Sequence, residues 1–130
     1  MTKLGDGVTA LAMAGLLTAL AVAPSAAASR QPTRAFDGTW SVSIFTQGGA
    51  CEPSYRYPAR IVGGQVQQAD LDFSYQLSGV VVSSGAIAVS ITRAGQYATG
   101  YGRLRDGKGS GHWSTQNNQC FGVWNAVRRG

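Results

Sequence analysis

The sequence is poor in the side chains on which most catalytic and metal sites depend. Among 130 residues there are one histidine, His112, two cysteines, Cys51 and Cys120, and six acidic residues. Zinc sites need ligands clustered at short spacing, and these three residues do not offer that. No nucleophile elbow, phosphate-binding loop or dinucleotide-binding glycine motif is present either. We therefore expect no catalytic residue, no metal site and no cofactor, and we predict that the protein is not an enzyme.

Segments suited to helices are also scarce after residue 28. No stretch of ten residues in that part of the chain is free of glycine, proline and clusters of β-branched residues. Glycine and proline are the poorest helix formers, and β-branched residues favour strands. An all-β fold is the expectation.

The first 28 residues have the composition of an export signal. Lys3 precedes an apolar run over residues 8–22, and small residues at positions 25–28 follow it. A basic start, an apolar core and an A-x-A pattern are typical of a secretory signal peptide, whereas a membrane-spanning helix needs about 20 continuous apolar residues. We predict that residues 1–28 are a signal peptide and that no transmembrane segment remains after cleavage. The protein is then exported, to the periplasm or the extracellular space.

Most of the surplus positive charge lies at the two ends of the predicted mature chain. The whole sequence has 11 basic and 6 acidic residues, but positions 36 to 127 contain only six basic residues and five acidic ones. A nucleic-acid-binding domain is expected to have a contiguous basic stripe on its folded surface. The only candidate is the group Arg103, Arg105 and Lys108 around one turn. We expect no nucleic-acid partner, and we expect a monomer.

From residue 36 onward, apolar and polar residues alternate with a period of two, which indicates strands with one buried face. Short Gly-, Asn-, Asp- and Ser-rich turns separate these segments. The regular spacing predicts an antiparallel up-and-down β-barrel of about eight strands over residues 36–128, or alternatively a β-sandwich. A disordered lead over residues 29–35 is expected to precede it. The predicted strands cover residues 39–46, 55–62, 65–69, 71–82, 86–93, 96–105, 109–115 and 119–127.

An isolated cysteine pair in an exported protein is most simply a disulfide. Cys51 follows the first predicted strand, and Cys120 opens the last one. In a meander with an even number of strands these two positions lie at the same rim, and closure of the barrel makes the two strands neighbours. The pair is therefore predicted to join the barrel at its seam. A bond across 69 residues should stabilise the fold by about 4 kcal/mol on the chain-entropy model.

The barrel interior is predicted to contain the three tryptophans, Trp40, Trp113 and Trp124, each of which follows a glycine by two positions. The strand over residues 96–105 places Ala98, Gly100, Gly102 and Leu104 on one face, and small residues facing inward would leave room for indole rings. An eight-stranded barrel is just wide enough to be filled by side chains or to hold one small ligand. We expect packed indoles, with a ligand cavity as the alternative.

Two resemblances extend this interpretation. Gly38-Thr39-Trp40 resembles the opening of the calycin group, the lipocalins and avidins, and implies a small barrel that binds ligands at its open end. Longer motifs resemble an uncharacterised family of short, exported, Gly- and Ser-rich bacterial proteins, some of them labelled as heme-utilisation or adhesion exoproteins. That resemblance implies heme binding as one possible function, with His112 as the single histidine available as an axial ligand. The matching segments are residues 36–42, Cys51, residues 55–58, 109–113 and 120–124.

A candidate binding surface follows from residue types. Tyr55, Arg56, Tyr57 and Arg60, with His112, are the residues of this chain most typical of binding surfaces, since Tyr and Arg are enriched at hot spots. The alternative is an ordinary strand start with tyrosines inward and arginines outward. We expect a non-enzymatic binding module for a small hydrophobic molecule or for a protein of the cell envelope. An inhibitor of a secreted or host hydrolase is the alternative function, and heme binding is a third.

The disulfide is the first testable prediction. Thiol labelling of the purified, unreduced and denatured protein should find no free thiol, because both cysteines are expected to be oxidised. The same labelling after reduction is the control and should find two thiols per chain. Two reactive thiols in the unreduced sample would contradict the prediction.

Overall fold

The structure, a computed structural model, describes residues 30–70 and 74–130 and the isolated positions 15 and 18. Apart from those two positions, the predicted signal peptide lies outside the described residues, as do residues 71–73 of the predicted fourth strand. The described residues form eight antiparallel strands. They are β1 (Gly38–Gly48), β2 (Ser54–Val62), β3 (Gln65–Gln68), β4 (Tyr75–Val81), β5 (Ala86–Arg93), β6 (Gln96–Arg105), β7 (Lys108–Thr115) and β8 (Phe121–Arg128), with a short 3-10 helix at Gln116–Asn118 before β8.

The eight strands close into a barrel in chain order. Each strand pairs with its neighbours in sequence, and β1 also pairs with β8, from Trp40 opposite Arg128 to Gly48 opposite Phe121. The prediction of an eight-stranded up-and-down barrel is confirmed, and the sandwich alternative is wrong because β1 and β8 are hydrogen-bonded neighbours. Every described strand is therefore paired on both sides over at least part of its length, although β3 covers only the closed-end portions of β2 and β4.

The disulfide lies at the seam, as predicted. Cys51 is in the loop after β1 and Cys120 immediately precedes β8, with 6.1 Å between their Cα atoms. The register of the β1–β8 pair shifts between Thr46 and Gly48, so the covalent bond joins the two strands just beyond their last regular pairs. The disulfide therefore constrains the one end of the seam at which the backbone pairing of β1 and β8 is irregular.

One end of the barrel is sealed, and we call it the closed end. It has the turns at residues 63–64, 82–85 and 106–107, together with both ends of the described domain. Trp40, which is 2% exposed, forms its floor. The Trp40 indole donates a hydrogen bond to the carbonyl of Phe36 (2.9 Å), and the guanidinium of Arg128 lies 5.2 Å from the ring centroid on the other side.

Residues 31–37 run across the closed end instead of extending freely, which differs from the disordered lead expected up to residue 35. Pro32 forms an isolated bridge with Val82. The carboxylate of Asp37 accepts hydrogen bonds from the backbone amides of Gly63 (2.7 Å) and Gly64 (3.1 Å). The composition of the lead did not reveal this arrangement, because the partners are backbone groups of distant turns.

Glycines on β6 and β7 make room for the indole of Trp124, as the sequence predicted for the small residues of β6. A Cβ on Gly102 would stand 2.5 Å from Cζ2 of Trp124, and one on Gly111 would stand 2.7 Å from its Nε1. The indole also donates a hydrogen bond to the Tyr101 carbonyl, at 3.2 Å. The Trp124 indole on β8 therefore lies against the glycine backbone of the two strands next to it, β7 and β6.

This packing predicts the effect of Gly102→Ala. The added methyl would overlap both the Trp124 ring and the backbone carbonyl of Ser110, which cannot move independently of the sheet. We expect a loss of about 2 to 3 kcal/mol in the free energy of unfolding, measured by urea denaturation. Gly100→Ala is the matched control, since its nearest obstacle is a methyl group of Val89 at 3.0 Å, and a smaller loss is expected. Equal losses in the two variants would contradict the assigned packing.

Candidate functional site

The opposite end of the barrel, which we call the open end, is not covered by the described residues. It carries residues 49–53, 69–70, 94–95 and 116–120 together with the disulfide. Inward-facing side chains at the closed end, such as Ile61 and Val81, are buried, at 3% and 0% exposure. Ile44 and Tyr75, in the open half, are buried as well. Six other inward side chains, most of them in the open half, are only half-buried although they pack against the core. They are Val42, Tyr55, Tyr57, Val89, Ile91 and Trp113.

A cavity of about 60 Å³ lies inside the barrel. Its lining is almost entirely aliphatic and aromatic, and it runs from Trp40 and Trp124 in the core to Trp113 and Ile91 towards the open end. The interior is therefore not packed solid by the three indoles, in contrast to our expectation. Trp40 and Trp124 belong to the buried core, at 2% and 6% exposure, whereas Trp113 is only partly buried against it.

The tryptophans differ in burial because they lie at different heights along the barrel axis. Trp40 is near the start of β1 and therefore at the closed end, whereas Trp113 is near the end of β7 and therefore towards the open end. The Trp113 indole lies against the barrel wall, because its Nε1 donates a hydrogen bond to the backbone carbonyl of Phe45 on β1 at 3.1 Å. A ring held at the wall leaves the axis of the barrel unfilled.

Three tyrosines form one side of the open end. Tyr55 and Tyr57 are stacked, with ring centroids 6.0 Å apart, and Tyr57 lies 5.9 Å from Tyr75 in a tilted arrangement. The hydroxyl of Tyr75 donates a hydrogen bond to the carboxylate of Asp70, at 3.0 Å. Offset and tilted contacts of this kind are favourable for aromatic pairs. The three rings present a continuous aromatic wall beside the cavity.

Burial favours the uncharged form of two of these phenols, Tyr57 and Tyr55. Burial raises the pKa of Tyr57, and the neighbouring phenols of Tyr55 and Tyr75 raise it further. The pKa of Tyr55 is also raised, chiefly by burial, with the positive charge of Arg93 acting against it and the negative charge of Glu52 adding to it. The aromatic wall is therefore a neutral, largely apolar surface in any physiological medium.

The structure does not bring the five predicted binding residues together. Tyr55 and Tyr57 point into the barrel, whereas Arg56 and Arg60 are exposed on the outer face of the same strand, β2. This is the alternation of tyrosine inward and arginine outward that was the alternative interpretation. His112 is exposed on the outer face of β7, next to the inward-facing Trp113. A heme inside the barrel could not be ligated by His112, because the sheet lies between them.

The sequence interpretation missed several residues of the cavity. Val42, Val89 and Ile91 line the cavity and were read only as alternating strand residues. The signal that could have identified Ile91 is its place in the strand. Ile91 is an inward residue on the half of β5 that is nearer the disulfide, so strand direction combined with alternation assigns it to the open end. Val42 and Val89 lie just on the other side of the midpoints of their strands, and this signal does not single them out.

Neither a known relative nor a known type of metal site accounts for the open end. No family model matches the chain, and no curated protein matches it, so both resemblances drawn from its motifs stay predictions. Within the part of the chain that the structure describes, no three His, Cys, Asp or Glu residues are grouped as metal ligands. Over those same residues, no helix is both long and apolar enough to cross a membrane.

The buried phenols predict a specific alkaline sensitivity. The unfolded chain releases its tyrosine protons near the ordinary pKa of 10.0, whereas folded Tyr57 retains its proton to higher pH. The stabilisation from this group is complete below pH 10 and is lost as the pH rises towards the folded pKa, with a slope of at most about 1.4 kcal/mol per pH unit. Tyr57→Phe should reduce this slope, measured by urea denaturation between pH 8 and pH 11.

The same variant supplies its own control at pH 8, where both states of the wild-type phenol are protonated. Tyr57→Phe keeps the ring and removes only the hydroxyl, so the free energy of unfolding at pH 8 should change by less than about 1 kcal/mol. An unaltered alkaline slope would show that the buried phenol does not titrate as described.

Proposed function

We propose that this chain is an exported, non-enzymatic binding protein that takes a small apolar molecule, or the apolar end of a larger one, into the open end of its barrel. The observation that carries the proposal is the asymmetry of exposure along the barrel axis. Most of the inward apolar side chains that are only half-buried lie in the open half of the barrel, namely Tyr55, Tyr57, Ile91 and Trp113, although Ile44 and Tyr75 in that half are buried. A barrel with no ligand to bind would gain stability if both ends were covered, because apolar surface left in water costs about 25 cal/mol per Å².

The size of the cavity limits what can enter it. Sites for drug-sized ligands usually enclose about 300 to 1,000 Å³, and this cavity has about 60 Å³. It has room for a few methylene groups or part of one ring. A larger ligand would therefore insert only its tip and leave the remainder against the aromatic wall, on Tyr55 and Tyr57 and across from Trp113.

The chemistry of the lining selects an uncharged, apolar group. Among the described residues that line the cavity there is no lysine, arginine, aspartate or glutamate, and the phenols of Tyr55 and Tyr57 are held neutral. An isolated charge in such a place would lose its hydration without compensation. A charged or polar part of a ligand would have to remain at the rim, where Arg93 and Glu52 are close enough to influence Tyr55 electrostatically.

Export is supported by the disulfide and by the first 28 residues of the sequence. Structural disulfides persist in the periplasm, on cell surfaces and in secreted proteins, and they are rare where glutathione keeps thiols reduced. The bond between Cys51 and Cys120 holds the rim of the open end. The proposed ligand would therefore be met outside the cytoplasm.

The proposal is tested by filling the cavity. Ala98 lines it from β6, so Ala98→Leu should occupy the space that a ligand needs. Straight-chain alcohols from butanol to decanol are the probes, and isothermal titration calorimetry measures their binding. We expect binding to the unmodified protein and a weakening of about tenfold or more in Ala98→Leu, with an unchanged or higher melting temperature because a filled cavity stabilises a core.

The matched control is Ala88→Leu, which makes the same change on the outer face of the adjacent strand β5. Ala88 lies between the two cavity-lining residues Ile87 and Val89 and therefore points away from the interior. This variant should bind the alcohols like the unmodified protein. Absence of binding to the unmodified protein, or equal weakening in both variants, would overturn the proposal.

A further inference from the structure

The outer wall of the barrel has a second concave surface, distinct from the cavity. It is a depression of about 340 Å³ across β6, β7 and β8, next to the end of β1. Two outward-facing aromatic residues border it, Tyr101 and Phe121, whereas its lining shares Thr99 and the inward-facing Trp113 with the cavity, and we call this depression the outer groove. Tyr101 is 62% exposed and Phe121 is 46% exposed, the former being the most exposed of the large apolar side chains in the described residues.

Sheet register assembles this groove from four strands. Tyr101 on β6 lies opposite His112 on β7, and Ser114 on β7 lies opposite Phe121 on β8. Thr99 on β6 is the partner of Ser114 on its other side. These outward side chains are therefore aligned in two rows across adjacent strands. Their positions follow from the hydrogen bonding of the sheet and not from the loops.

Phe121 packs against backbone and stays partly open to solvent. The outer end of its ring lies against Gly48, where a Cβ would stand 2.6 Å from the Cε1 atom of the ring. Gly48 follows the irregularity in the β1–β8 register. The residue is 46% exposed, so a ring that is supported by the backbone is still accessible to a ligand. This support lowers the entropic cost of binding a ligand on the ring.

The polar side chains of the outer groove include no acidic group, no ammonium and no guanidinium group. Among the described residues that line the groove there is no lysine, arginine, aspartate or glutamate. A phosphate, a nucleic acid or an acidic peptide would meet no compensating charge there. What the groove offers is hydrogen-bonding side chains of the amide, hydroxyl and imidazole types. They belong to Gln47, Thr99, Ser114, Asn118 and His112.

We propose that the outer groove is a binding site for a neutral carbohydrate. A sugar ring has an apolar face of C–H groups, which can lie on the exposed ring of Phe121 or Tyr101, and an edge of hydroxyl groups that need neutral donors and acceptors. The groove combines these two requirements within one concave surface of the size that small-molecule sites have. Aromatic rings with a polar surround favour orientation-specific stacking of this kind.

The test measures binding of neutral oligosaccharides to the oxidised protein by isothermal titration calorimetry. The probes are maltotetraose, cellotetraose and chitotetraose, with tetragalacturonate as the anionic comparison. At least one neutral probe should bind, and tetragalacturonate should bind more weakly than every neutral probe that does. Phe121→Leu keeps an apolar side chain on Gly48 but removes the aromatic face, and it should weaken the binding by about tenfold. Tyr101→Ala should weaken it by a similar factor.

Tyr97→Ala is the matched control, because Tyr97 is also exposed on the outer face of β6 but does not line the groove. It should bind the sugar like the unmodified protein. The proposal is overturned if no neutral probe binds, if Tyr97→Ala weakens binding as much as Phe121→Leu, or if tetragalacturonate binds best. It is also overturned if Phe121→Leu only dissociates a dimer of this chain, as seen by sedimentation.

This inference is independent of the apolar ligand proposed for the cavity. Phe121→Leu should leave the binding of alcohols unchanged, and Ala98→Leu should leave the binding of the sugar unchanged. Loss of both activities in each variant would indicate a general defect of the fold, which the melting temperature of each variant would reveal. Sugar binding that is weakened by Ala98→Leu alone would place the sugar inside the barrel and overturn the assignment to the outer groove.

Discussion

Pairing of β1 with β8 turns a flat meander into a barrel, and the interior exists only because these two strands meet. The pairing runs the length of the seam, from Trp40 opposite Arg128 to Gly48 opposite Phe121. Both ends of the seam are reinforced. At one end the disulfide joins the strands covalently, and at the other Thr39 exchanges backbone hydrogen bonds with Arg129 and Gly130. A domain of this size has a small core, so closure and cross-linking account for a large share of its stability.

The two ends of the barrel then differ because the described residues cover only one of them. At the closed end, residues 31–37 cross the opening, and Trp40 fills the floor, where its indole contacts the Phe36 carbonyl and the Arg128 guanidinium. At the open end, the disulfide holds the rim in place, no described residue crosses the opening, and aromatic side chains reach solvent. The fold therefore provides an apolar cavity whose walls are the strands. The closed end prevents a ligand from passing through the barrel.

Glycine decides where the aromatic rings of this protein lie. Inside the barrel, Gly102 and Gly111 admit the indole of Trp124, and outside it Gly48 admits the ring of Phe121. In both cases a ring rests on bare backbone of a neighbouring strand. Glycine weakens strands and lowers their propensity, but here the sheet is supported by closure, so the loss is offset by the packing of large rings. The high glycine content of the sequence is thus part of how both proposed sites are shaped.

The sequence by itself indicated the strands, their approximate number and the disulfide, because alternation and turn residues are local signals. It favoured a barrel over a sandwich because the parity of the strands places the two cysteines at one rim. It also contained the inward and outward assignment of Tyr55, Arg56 and Tyr57, as the alternative interpretation. Only the tertiary structure decided which end of the barrel is covered, that a cavity remains beside Trp113, and that His112 lies in an outer groove with Phe121. Those features depend on contacts between residues far apart in the chain, and no local pattern records which distant backbone a ring or a carboxylate will meet.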